Sequence, residues 1–310
     1  MSGPETDGRA ESIRQRLRNE LRARGEDVTH GLQRYAVERF LYRLGRSPHR
    51  ERFVLKGATL FAIWGTVYRP TRDIDFTGYG SSEQADVLRN VREICNTADD
   101  VDSLVFDTEA ITIDPIRDGS EYDGLRIRLR AQLGKSNIAV QIDVGFGNAI
   151  VPGPEEQEYR TILGDPPPRI LAYPPESVVA EKLNAMVTLG ERNSRFKDFY
   201  DLHAMAREFR FDRNTLARAV RATFDRRRTP IDAALPSPLT APFYAASGRI
   251  TQWRAYVTSN SLTGAPTDFQ QVGELLTRFL RPVWESVLES GSDAGDWPPG
   301  GPWSRGGGTP

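Results

Sequence analysis

Apolar and polar positions change period three times along this chain. Near the start, Ile13, Leu17 and Leu21 recur every four residues among charges. That spacing predicts an amphipathic helix from about 10 to 24, behind a disordered lead over 1–10. Gly25 interrupts it. Tyr35, Ala36, Phe40 and Leu44 share one side of a second helix from about 32 to 44, with Gly45 as a stop signal. The period is then mixed. A short strand or turn at 53–55 leads into a helix at 59–64, and a strand follows at 73–78. Val87, Val91 and Ile94 align on a helix over 83–97. Three more strands read at 104–113, 125–133 and 138–146. The middle one alternates most clearly: Leu125, Ile127 and Leu129 face one way, Arg126, Arg128 and Arg130 the other. The pattern predicts a mixed sheet flanked by helices, an α/β or α+β layer.

Residues 151–170 are rich in Pro and Gly and predict a linker. Beyond Pro174 the period is helical throughout, ending in a stripe of Phe269, Val272, Leu276, Phe279, Val283 and Val287. The expected organisation is N-terminal helices at 1–48, a sheet-bearing domain at 49–165, a helical domain at 172–290 and a disordered tail at 291–310.

Composition narrows the function. A net charge of -1 argues against wholesale coating of a polyanion, though not against a local basic groove. The single cysteine, Cys95, excludes an internal disulfide framework and a cysteine-rich zinc site, and fits a reducing compartment. The polar, acidic N-terminus is no secretory signal, and no apolar run approaches the ~20 residues of a membrane span. A cytoplasmic location is the expectation. Of 41 basic residues only Lys56, Lys135, Lys182 and Lys197 are lysine. Such sparing use hints that a compact ammonium is needed at those positions.

The chemistry centres on residues 56–76. Asp73 and Asp75 lie two apart on a strand, so both carboxylates leave one face, about 7 Å apart. Acids are depleted within strands, and two on one face call for a cation between them. A divalent metal with a metal-bound phosphate substrate fits. Gly57-Ala58-Thr59 opens the preceding helix, and small residues there let a phosphate reach backbone N–H groups. The competing reading is an ordinary tight turn. No P-loop is present. Asp143 lies in the apolar strand Val140-Gln-Ile-Asp-Val-Gly, where it either completes a site for two Mg²⁺ or pairs with an arginine of the adjacent strand. Arg126, Arg128 and Arg130, with Arg218, Arg221 and Arg226-Arg227-Arg228, form basic patches suited to RNA phosphates.

These segments, together with Glu181-Lys182-Leu-Asn-Ala and Arg195-Phe-Lys-Asp-Phe-Tyr-Asp-Leu202, resemble the AbiEii/AbiGii toxin family of the DNA polymerase β-type nucleotidyltransferase superfamily, which includes the mycobacterial MenT toxins. The likeness covers about residues 50 to 205. Ala58 departs from relatives that carry Gly or Ser there. The resemblance implies a polymerase β-like sheet and Mg²⁺-dependent transfer from an NTP, with Asp73, Asp75 and Asp143 as metal ligands. It implies that Lys182 binds the triphosphate and Asp198 is the acid of the last motif. Asp201, one turn on, reads as an i,i+4 pair with Lys197. The implied acceptor is the 3′ end of tRNA, with translation blocked, and the implied partner a separately encoded AbiEi-like antitoxin. Thr71, two residues before Asp73, is a candidate regulatory phosphorylation site. Two alternatives stay open: an NTP-binding interaction protein without catalysis, and transfer to a protein or small molecule.

Overall fold

The computed structural model describes residues 4–65, 73–98, 102–116, 124–262, 264–289 and 294–304. The chain divides into two compact units, residues 1–147 with 155–172, and residues 148–154 with 173–310.

The first unit opens with helices α1 (Pro4–Ala23) and α2 (Val28–Arg46). Strand β1 (Phe53–Lys56), helix α3 (Thr59–Trp64), strand β2 (Asp73–Gly78) and helix α4 (Gln84–Cys95) follow. Then come strands β3 (Val105–Ile116), β4 (Gly124–Leu133), β5 (Ser136–Phe146), β6 (Glu155–Glu158) and β7 (Arg169–Ala172). They form one seven-stranded mixed sheet in the order β3-β4-β5-β2-β1-β7-β6. The β2–β5 and β1–β7 pairs are parallel and the others antiparallel.

The period-two pattern decides what each sheet face does. Phe53, Leu55, Ile74, Phe76, Leu125, Ile127, Ile142 and Val144 share one face and are buried. Helix α2 lies over it, with Phe40 packed 6.4 Å from Phe76 and 6.1 Å from Phe106, ring centroid to centroid. A buried ion cluster anchors α2: Arg39 and Arg43 both donate to Asp102, at 3.1 and 2.8 Å. The opposite face carries the charged side chains.

The second unit contains α5 (Pro175–Leu189), α6 (Phe196–Glu208), α7 (Arg213–Arg226), α8 (Ala241–Ala245), α9 (Ser247–Ser259) and α10 (Phe269–Glu289). A two-stranded sheet joins β8 (Phe211–Asp212) to β9 (Asp296–Trp297). Its core is aromatic, with Phe269 against Phe196, Phe199, Tyr244 and Trp253.

Four expectations need correction. The N-terminal helices belong to the same unit as the sheet, and α1 already begins at Pro4. Residues 151–170 are not a plain linker, because β6 and the start of β7 lie there and extend the sheet. A β6 of Glu155-Glu-Gln-Glu gives no apolar signal, yet charges suit an edge strand. The segment expected as a tail is ordered over 294–304. There Trp297 is fully buried, donates to the Ala206 carbonyl and packs tilted against Phe279 at 4.9 Å between ring centroids, and Trp303 lies 11° from coplanar with Phe279. Aromatic side chains supply burial that the Gly- and Pro-rich composition conceals.

Candidate active site

Ladder register assembles one charged row across the middle of the sheet. Asp75 on β2 stands opposite Lys56 on β1 and, on its other side, opposite Asp143 on β5. Asp143 in turn stands opposite Arg126 on β4, and Arg126 opposite Asp114 on β3. The next row on the same face holds Asp73, Gln141 and Arg128. Asp73, Asp75 and Asp143 therefore share one face, with adjacent strands about 4.8 Å apart. All three are partly exposed, as are Lys56 and Arg126.

Asp143 is tightly held. Arg126 Nε donates to Oδ1 at 2.9 Å and Nη2 to Oδ2 at 2.7 Å, a two-point fork, and Gln141 Nε2 lies 3.4 Å from Oδ1. Arg128 pairs with Asp114. Two of the three arginines in the expected cationic stripe are thus ion-paired with acids, and Arg130, exposed on the same face, stands opposite Asp107 on β3.

The Gly57 turn meets this row. Gly57 adopts φ +73°, and a Cβ there would fall 2.2 Å from Asp75 Oδ2. Only glycine lets the Asp75 carboxylate lie against the turn. Leu60 and Phe61 amides close it by donating to the Gly57 and Ala58 carbonyls. The Ala58 and Thr59 side chains are buried, so the turn has main chain, not the Thr59 hydroxyl, to offer a ligand. Thr71 lies outside the described residues.

The second unit holds Lys182 on α5 and Asp198 on α6. Lys182 Nζ donates to Asp198 Oδ1 at 3.0 Å and to Asp201 Oδ2 at 2.7 Å. Arg195 Nε lies 3.0 Å from Asp198 Oδ2, although no donor is aligned on that oxygen for a hydrogen bond. Burial pushes the Asp198 carboxyl up, but Lys182 and Arg195 outweigh it and hold the group below its ordinary value. Asp201 is not the solvated partner of Lys197 that helix spacing suggested. It is 1% exposed and takes its proton donor from α5. Beside Lys182, Glu181 accepts from Tyr173 and pairs with Arg227 at 3.3 Å. His203 is buried, and burial drives its pKa down to about 4.

The donor chemistry on the sheet face suits a divalent cation, since Asp73 and Asp75 present hard carboxylate oxygens from one side of one strand. The expected set of three is another matter. Among the described residues no group of three or more His, Cys, Asp or Glu is arranged to hold a metal ion. Asp143, the third acid, is instead held by the Arg126 fork.

The family model "Nucleotidyl transferase AbiEii toxin, Type IV TA system" matches residues 39–275. The chain belongs to the AbiEii nucleotidyltransferase toxin family. AbiEii membership brings nucleotidyl transfer as the class of activity and a separate antitoxin as the partner of a type IV system. Two Helicobacter pylori structures are similar in fold. One, described as a candidate nucleotidyltransferase, is 15% identical, covers 82% of this chain and 93% of its own, and has a TM-score of 0.47. The other, JHP933, is 15% identical, covers 81% and 90%, and has a TM-score of 0.45. Likeness at that distance assigns no residue a role. No curated protein matches the chain. Among the described residues no helix is long and apolar enough to cross a membrane.

Sequence reasoning missed Asp201 as a buried partner of Lys182, and Lys56 as the residue facing Asp75. The i,i+3 spacing of Asp198 and Asp201 was the available signal for the first. The second follows from β1–β2 pairing across a short connection, which the two strands' proximity in sequence suggests.

Proposed function

We propose that this AbiEii protein transfers a nucleotide from an NTP to the 3′ end of tRNA, in the cytoplasm, and thereby blocks charging and translation until an AbiEi-like antitoxin restrains it. The observation that carries the reading is the shared face of Asp73, Asp75 and Asp143, with the Gly57 turn pressed against Asp75. Asp73 and Asp75 would hold Mg²⁺, which when bound neutralises phosphate oxygens and the leaving pyrophosphate. The Gly57–Thr59 main chain borders the phosphate tail. The acceptor hydroxyl attacks the α-phosphorus in line, and Asp143 lies on the same face to take its proton or to join the cation set. In the second unit, Lys182, its ammonium fixed by Asp198 and Asp201, is the residue that the family resemblance gives to the triphosphate. Arg130 and the α7 arginines suit an RNA backbone.

The test is label transfer from each NTP to total tRNA with Mg²⁺, comparing wild type with Asp75→Asn and Lys182→Ala. Transfer by wild type and its loss in both variants is expected. Absence of transfer with every NTP, beside an active control enzyme, refutes the reading. The Arg126 fork on Asp143 favours one second reading, NTP binding without turnover. Tight NTP binding with no transfer, and full toxicity of Asp73→Ala, would select it.

A further inference from the structure

We propose that Arg126 competes with the metal for Asp143, so that Arg126 sets how tightly the site takes its cation. The inference rests on the nucleotidyltransferase reading and deepens it.

Asp143 stands between an acid and a base. Its parallel neighbour is Asp75 and its antiparallel neighbour is Arg126, each one strand away. A cation held at Asp73 and Asp75 draws the Asp143 carboxylate one way, and the guanidinium draws it the other. In this structure the guanidinium has it, through both oxygens. Paired charges with two aligned hydrogen bonds are the strong form of such contacts. The Asp143 side chain is 17% exposed, which limits screening without preventing exchange. The sheet also arranges the competition. Asp114, the acid on the far side of Arg126, is taken by Arg128. Asp114 is thus no rival to Asp143 for the Arg126 fork. The Arg126 charge is permanent, since a guanidinium keeps its proton at any working pH. A metal therefore gains the Asp143 carboxylate only by displacing Arg126.

Arg126 is a positioning residue in this scheme, and Mn²⁺ binding measured by calorimetry, without nucleotide, is the readout. Arg126→Met releases Asp143 and is expected to bind Mn²⁺ about tenfold tighter, the size of one charge-assisted contact removed from competition. Arg126→Lys, which keeps the charge but loses the fork, is expected between the two. Arg126→Met with Asp143→Asn is expected to return to the wild-type affinity. Circular dichroism establishes that each variant is folded, and Arg126→Lys serves if the Met variant is not. Unchanged or weaker Mn²⁺ binding in the folded variants overturns the proposal and leaves Arg126 a purely structural contact. Asp73→Asn separates the two levels. If wild type binds Mn²⁺ and Asp73→Asn binds it equally well, the cation site itself is wrong, whatever Arg126 does.

Discussion

Gly57 and Gly164 offer a matched pair of substitutions. Both belong to the first unit, and their φ angles are +73° and +75°. Alanine at either position meets the same left-handed backbone, which costs about 1–2 kcal/mol for a residue with a Cβ. Their surroundings differ. A Cβ at Gly164 meets nothing within 4 Å, whereas one at Gly57 meets Asp75 Oδ2, Cγ and Cβ at 2.2, 2.8 and 2.9 Å. The carboxylate could swing aside. The Asp75 Cβ could not, because the β2 ladder fixes it on both sides. Carbon atoms rest about 3.5–4.0 Å apart, so the turn or the strand must shift. Overpacking of this kind adds about 1–3 kcal/mol. In guanidinium titrations followed through the first unit, Gly164→Ala should lose about 1–2 kcal/mol and Gly57→Ala about 2–5 kcal/mol. Mn²⁺ binding should survive Gly164→Ala and weaken at least about tenfold in Gly57→Ala, where one displaced ligand carboxylate forfeits a charged contact. Equal stability losses with unchanged Mn²⁺ affinity would refute the role given to Gly57.

Three further outcomes follow from buried groups. Lys182→Met removes the ammonium shared by the Asp198 and Asp201 carboxylates, which are 2% and 1% exposed, and should cost the second unit about 3–5 kcal/mol by chemical denaturation, with adding Asp198→Asn and Asp201→Asn restoring most of it. Glu38 is fully buried and burial lifts its pKa from 4.5 to about 8, although the Ile162 amide donates to it. The native state therefore keeps a proton that the unfolded chain gives up, so stability should fall as pH rises from about 4.5 to 8, and Glu38→Gln should flatten that slope in pH-dependent melting. Trp297→Ala removes a fully buried ring and its bond to the Ala206 carbonyl and should cost about 3–5 kcal/mol, whereas a truly disordered tail would tolerate it with no change in melting.

What could be read from the sequence tracks period and local chemistry. β4 was legible because leucine and isoleucine alternate with arginine, and α10 because its stripe is long. α9 was not, since it buries only Trp253 and Val257 and so shows no stripe. β6 presents acids to solvent, and β7 is four residues behind a run of prolines. At the site, the common face of Asp73 and Asp75 follows from a period of two alone. That Asp143 joins them required the order of strands in the sheet, and that Arg126 reaches it required the register of β4 on β5. Likewise the helical offset put Asp198 and Asp201 on one face, but their shared partner comes from another helix 16 and 19 residues away. Long-range pairing is the information that local patterns lack.

The two charged clusters obey different economics of solvation. On the sheet face, acids and bases are partly or fully exposed, Asp75, Asp143 and Asp114 each stand opposite a base on a neighbouring strand, and water screens the more exposed contacts. Exposed pairs such as Arg128–Asp114 contribute little to stability, whereas the less exposed Arg126–Asp143 fork is held at two points. In the Lys182 cluster both acids are buried and the lysine nearly so, and there the desolvation of three charges offsets most of their attraction. A well-packed apolar trio at Lys182, Asp198 and Asp201 would hold α5 and α6 together at least as well. Stability therefore does not explain the ammonium. What the two carboxylates do fix is its place, since Asp198 and Asp201 hold Lys182 Nζ at 3.0 and 2.7 Å before any ligand arrives.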